Sequence, residues 1–193
     1  LVIQEWWGLN DHVKHWTDRL AADGYFALAV DLYDGKVATT RDEAMAAMQA
    51  VKDERAHAIL RAGLDELKKL GATKVGTIGW CFGGGWSLQT ALANPDVAAC
   101  VIYYGRLVDD VEALRKIQGP VCGVFGNKDQ GIPKETVDKF AAALQEAGIE
   151  NEIHRYEADH AFANPSNPRY DAGSAGDAWE KVRAFLAANL RGK

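Results

Sequence analysis

Cys81 stands in the segment Gly79-Trp80-Cys81-Phe82-Gly83-Gly84, between an apolar run, Lys74 to Ile78, that reads as a strand and a small-residue stretch, Gly85 to Ala93, that reads as a helix. Glycines on both sides permit a sharp strand-to-helix turn, and the N-terminus of the following helix stabilises a thiolate. A thiol near its ordinary pKa is ionised to only about a few per cent at neutral pH. An imidazole must therefore accept its proton, and a carboxylate must orient that imidazole. Residues of these types follow other strand-like runs: Glu5 after Val2 to Gln4, Asp129 after Val121 to Phe125, and His160 after Asn151 to Tyr156. Such a set could perform acyl transfer, with the backbone N–H groups of Phe82 and Trp6 as donors to the tetrahedral oxyanion. This chemistry requires no metal and no cofactor. Plainer readings exist for each residue: a turn aspartate in Gly126-Asn127-Lys128-Asp129, a loop histidine, a solvated glutamate. Their joint occurrence after successive strands, in the order nucleophile, acid, histidine, is harder to dismiss than any one of them.

Positioning these residues requires a scaffold, and the pattern supplies one. Short apolar runs alternate with helical stretches along the chain, as in a mostly parallel sheet flanked by helices on both faces. Val2 to Gln4 and Phe26 to Val30 read as strands. Between them a helix from Asp11 to Ala22 places Val13, Trp16, Leu20 and Ala21 on one face. Leu32 to Thr40 carries no strand signal, and Arg41 to Leu70 is helical with a break near Lys52-Asp53, the expected place for a substrate-covering segment. Val75 to Trp80, Val97 to Tyr104, Val121 to Gly126 and Asn151 to Tyr156 complete the strands. The helices between and after them are expected at Asp109 to Ile117, Lys134 to Ala147 and Ala172 to Leu190. Ligands of open α/β sheets collect beyond the carboxyl ends of the strands, where the candidate residues fall.

The chain's 193 residues, 48% of them hydrophobic, suit one domain with a core on both faces of a sheet. A net charge of −5 without a basic stripe argues against a nucleic-acid surface. No apolar run approaches the roughly 18–20 residues of a membrane span, and no signal segment is present, so a cytoplasmic protein without membrane partners is expected. Leu1 to Gln4 already reads as a buried strand, which suggests that further strands precede Leu1. Cys100 and Cys122 lie inside apolar runs and read as packed thiols.

The quoted residues also resemble the landmarks of a family. Gln4-Glu5-Trp6-Trp7-Gly8-Leu9-Asn10, Asp31-Leu32-Tyr33, the Cys81 segment, Tyr103-Tyr104-Gly105, Gly126-Asn127-Lys128-Asp129, His160-Ala161-Phe162 and the tail Asn164 to Phe185 are together similar to the dienelactone hydrolase family. The resemblance implies an α/β-hydrolase fold whose N-terminal strands would lie ahead of Leu1, with Cys81 as nucleophile, His160 as base and Asp129 as orienting acid. It implies Glu5 as a carboxylate that assists thiol activation when substrate binds. It further implies a carboxylesterase or lactonase acting through an acyl-Cys81 intermediate on small esters or lactones; separately, a monomer or weak homodimer is expected. Trp6, Trp7, Tyr33, Tyr104 and Phe162 are candidate pocket walls. In family members that open dienelactones, arginines after the Asp-Leu-Tyr and His-X-Phe segments bind the substrate carboxylate. Here those neighbourhoods carry Lys36 and Asn164, and a lysine does not reproduce a guanidinium clamp.

Rival readings are weaker. A nucleotide-binding turn fails because Cys81 occupies the place of the second fingerprint glycine and no Gly-Lys-Ser/Thr ending follows. A non-catalytic or redox-sensing member of the same fold lacks a nearby resolving cysteine and leaves the acid and base unexplained. His12 and His15 lack the glutamate and spacing of a zinc-binding helix and read as solvated or capping side chains.

Overall fold

The structure, a computed structural model, describes residues 1–191. Its centre is a six-stranded parallel sheet built from β1 (Val2–Ile3), β2 (Ala29–Val30), β3 (Val75–Trp80), β4 (Val97–Tyr103), β5 (Val121–Gly126) and β6 (Asn151–Tyr156), in the order β2-β1-β3-β4-β5-β6. Strands β3 and β5 are buried along their whole length, as expected where helices cover both faces of a parallel sheet. This is the parallel sheet with helices on both faces expected from the alternation of runs, and the α/β-hydrolase arrangement that the resemblance implies. The chain turns from β1 outward to β2 and then returns to β3 on the other side. The order therefore reverses between β1 and β3, and a crevice opens at their carboxyl ends.

Helix α1 (Asp11–Ala22) begins where the Asn10 side chain accepts from Val13 N and buries Val13, Trp16 and Leu20. Helix α2 (Arg41–Ala50) starts in a capping box between Thr40 and Glu43. It ends where Val51 and Lys52 become extended, and α3 (Asp53–Lys69) then buries Ala56, Leu60, Leu64 and Leu67 as one stripe. Helix α4 (Phe82–Ala93) is the central helix, followed by α5 (Val111–Leu114), α6 (Lys134–Glu146) and α7 (Ala172–Leu190). Apolar residues of α3, α4, α5 and α6 form one core, and those of α1 and α7 form the other on the opposite face. Among the described residues no helix is long and apolar enough to cross a membrane.

Several expected boundaries move. Helix α4 begins at Phe82 rather than Gly85, because Gly83 and Gly84 are helical and their missing side chains admit neighbouring backbone: a Cβ on Gly83 would meet the carbonyl oxygens of Ile3 and Gln4. The second strand shrinks from Phe26–Val30 to two residues, with Phe26 exposed. The helix expected over Asp109 to Ile117 is the four-residue α5, capped by the Asp110 side chain accepting from Ala113 N.

Candidate active site

Cys81 is the residue between β3 and α4, at φ 54° and ψ −115°. An L-residue rarely adopts this backbone, and it is held here by two bonds: Cys81 N donates to Tyr103 O at 2.9 Å, and Gly85 N donates to Cys81 O at 3.2 Å. The turn lifts the partly exposed thiol above the sheet at the N-terminus of α4, whose first-turn amides, Phe82 included, have no carbonyl four residues back. Ile3 and Gln4 press their carbonyls onto Gly83, so the loop opened by Glu5 and Trp6 runs beside that first helical turn.

Asp129 follows β5 and is buried. Its Oδ1 accepts from Gly131 N at 2.8 Å and Ile132 N at 3.1 Å, and its Oδ2 accepts from His160 Nδ1 at 2.6 Å. Burial raises its pKa, but the bond to His160 and the two amides outweigh burial and hold it below the usual carboxylate range. The Cys81 side chain lies close enough to the His160 ring to act on its pKa. Burial pulls the imidazole pKa down, yet the bond to Asp129 and the neighbouring Cys81 side chain prevail and raise it to about 10. Asp129, His160 and Cys81 are thus brought together, and the imidazolium is the favoured form of the ring. His160 itself lies in the loop after β6, and its neighbour Ala161 has φ 62°.

Glu5, directly after β1, is 2% exposed. Its Oε2 accepts from Asn164 Nδ2 at 2.7 Å, and its Oε1 has no partner. Burial raises its pKa to about 7, against the opposing effects of Asn164 and His160. The sequence names Asn164 only as a pocket candidate; its bond to Glu5 spans 159 positions and has no local signal. Gln4 opens the Gln4–Asn10 motif. Its buried Oε1 accepts from Leu32 N at 3.2 Å and ties the loop after β2 to the end of β1. That loop is further shaped by Asp31, which accepts from Tyr33 N at 2.7 Å and from Gly35 N.

The aromatic candidates divide. Tyr33 is buried with its ring centroid 5.7 Å from that of Phe82 and its hydroxyl unpartnered. Tyr104 packs its ring 5.2 Å from His160 and 5.7 Å from Phe162. Phe162 has no exposed surface and lies between Tyr104 and Tyr156. Trp6 and Trp7 are half-buried against each other at 5.0 Å, and Lys36 is exposed. A cavity of about 110 Å³ opens between the Tyr33–Lys36 loop and helices α2 and α3, where the covering segment was expected. His12 is half-buried rather than solvated: it accepts from Trp16 Nε1 at 3.2 Å, and burial lowers its pKa to about 4.

A sequence model described as "Dienelactone hydrolase family" matches residues 1–190. A curated protein of Methylorubrum extorquens, named "Putative carboxymethylenebutenolidase", is 36% identical, the match covering 96% of this chain and 70% of that protein. A crystal structure from Klebsiella pneumoniae subsp. pneumoniae superposes with a TM-score of 0.88 at 32% identity, covering 96% of this chain and 85% of that one. The dienelactone hydrolase-like promiscuous phosphotriesterase P91, from metagenomic libraries, superposes with a TM-score of 0.86 at 26% identity, covering 98% and 85%.

Proposed function

The chain belongs to the dienelactone hydrolase family, and from that premise we propose that it cleaves small esters or lactones with Cys81 as the nucleophile. The observation that carries this reading is the position of His160, bonded to Asp129 at 2.6 Å and close enough to the Cys81 side chain for the two to act on each other. In the reaction the sulfur attacks the ester carbonyl carbon while His160 holds the proton that leaves the thiol. The tetrahedral oxyanion forms against the N–H groups of Phe82 and Trp6. As the intermediate collapses, His160 passes its proton to the departing alkoxide and an acyl thioester remains on Cys81. Water, deprotonated by the same ring, then releases the acid and restores the thiol. Asp129 stays ionised throughout and keeps Nδ1 engaged, so that the other ring nitrogen faces sulfur.

Uncharged substrates fit this site better than dienelactone carboxylates. The two positions where the resemblance places clamping arginines hold an exposed Lys36 and an Asn164 whose amide is committed to Glu5. Glu5, with a pKa of about 7, is the group whose proton state can change when substrate fills the crevice. Replacing Cys81 by alanine is expected to abolish p-nitrophenyl ester turnover. Mass spectrometry of wild-type protein mixed with a small ester or lactone panel should find the acyl group on Cys81. Turnover by C81A at the wild-type rate would refute the assignment.

A further inference from the structure

On the face of the sheet covered by α7, three side chains outside the candidate active site converge: the ligand atoms of Cys122, Glu152 and His154 lie within 4.8 Å of one another. Strand register brings them together. Cys122 is the Cα partner of Glu152, and Val124 is the partner of His154, in the parallel β5–β6 pair. Partners in a pair, and residues two apart on a strand, project to the same face. Glu152 Oε2 and His154 Nε2 are 3.2 Å apart at the rim, with side chains 51% and 19% exposed, while Cys122 is wholly buried beneath them.

Protection of an edge strand by charged residues explains part of this arrangement, because β6 is the last strand of the sheet. It does not explain a carboxylate set beside a buried thiol. The buried sulfur, the carboxylate oxygen and the ring nitrogen face one another within 4.8 Å, and no cationic side chain stands among these three ligand atoms. A cation placed among them meets all three as ligands. We propose that Cys122, Glu152 and His154 bind a thiophilic divalent cation of the zinc class, fastening β6 to β5.

The donor set is one sulfur, one imidazole nitrogen and one carboxylate oxygen, each a zinc ligand type at roughly 2.0–2.3 Å. Tetrahedral ligands at such lengths stand about 3.3–3.8 Å from one another, close to the 3.2 Å already present between Glu152 and His154. On binding, the sulfur–metal bond forms as the S–H bond breaks and the proton passes to solvent. Thiolate and carboxylate then balance the two positive charges, and a fourth position remains for water. The neighbouring polar groups are otherwise engaged: Tyr156 donates to Asp177 at 2.8 Å, and Lys181 pairs with Asp177 at 2.7 Å.

Cadmium titration of the full chain tests this, using a Cys81→Ser background so that the exposed thiol does not compete. The expected result is one equivalent bound, an ultraviolet thiolate-to-cadmium charge-transfer band, and a Tm that rises with cadmium concentration. Adding Cys122→Ser should remove the band. Adding His154→Ala, at a partly exposed side chain that the fold tolerates, should weaken binding at least about tenfold. An equal band without Cys122, unchanged affinity without His154, or neither band nor Tm shift at millimolar cadmium would each overturn the proposal.

Discussion

His160 and Glu5 both have raised pKa values, yet the two shifts act on stability in opposite ways. For His160 the folded value of about 10 exceeds the ordinary 6.5. The stabilisation from its partners is therefore complete below about pH 6.5 and is lost as pH rises through about 10. Asp129→Asn removes the main partner. Urea titrations should show the largest stability difference between wild type and this variant below pH 6.5, shrinking toward pH 10, and kcat should fall by about 10³–10⁴-fold. For Glu5 burial outweighs the bond from Asn164 and the charge of His160, and raises its value from 4.5 to about 7. Ionising it in place costs stability, so the fold weakens as pH climbs through that interval, a span worth ~3 kcal/mol. Glu5→Gln keeps the acceptor for Asn164 and cannot ionise. Its unfolding free energy should be flatter than the wild type's between pH 4.5 and 7, and a parallel slope in both proteins would contradict the assignment. Cys81, Asp129 and His160 could be found in the sequence because each follows a strand signal at short range. The Glu5–Asn164 bond could not, since it joins the start of the sheet to a loop near the end of the chain.

At the scale of elements, the glycines of α4 govern the site's geometry. Gly83 has β1 backbone where its side chain would be, with Gln4 O 2.5 Å from an ideal Cβ. Gly83→Ala must push β1 and α4 apart, which moves the Glu5–Trp6 loop away from Cys81. A loss of about 2–4 kcal/mol is expected in denaturant unfolding, with reduced turnover. Helix propensity misplaces the start of this helix, because Gly83 and Gly84 read as part of the turn. They are helical because tight backbone packing compensates for their flexibility. Propensity also overextends α5, where the Asp110 cap starts a helix that lasts only four residues. By contrast, the break between α2 and α3 was legible, since the β-branched Val51 ends one apolar stripe before the stripe of α3 begins.

Across the whole molecule, the two cores differ in kind. The α3–α6 side is mostly aliphatic. The α1–α7 side stacks Trp16 on Trp80 at 5.2 Å and tilts it against Trp179 at 4.5 Å, with the Arg19 guanidinium within 4.8 Å of both the Trp16 and Trp179 rings. The alternation of runs announced two covered faces, but the pairing of Trp16 with Trp179 depends on crossovers that no local pattern encodes. Between these cores the sheet holds Cys81, Tyr104 and Ala161 at φ 54°, 37° and 62°, each close behind a strand end. Such backbones cost L-residues about 1–2 kcal/mol apiece. Cys81→Gly should therefore melt above Cys81→Ala by ~2–4 °C for each kcal/mol relieved, and an equal or lower Tm would show that the turn carries no such load. Selection for thermal resistance alone would accordingly drift toward glycine at this turn and extinguish the nucleophile, so a screen for hardier variants has to score turnover alongside survival.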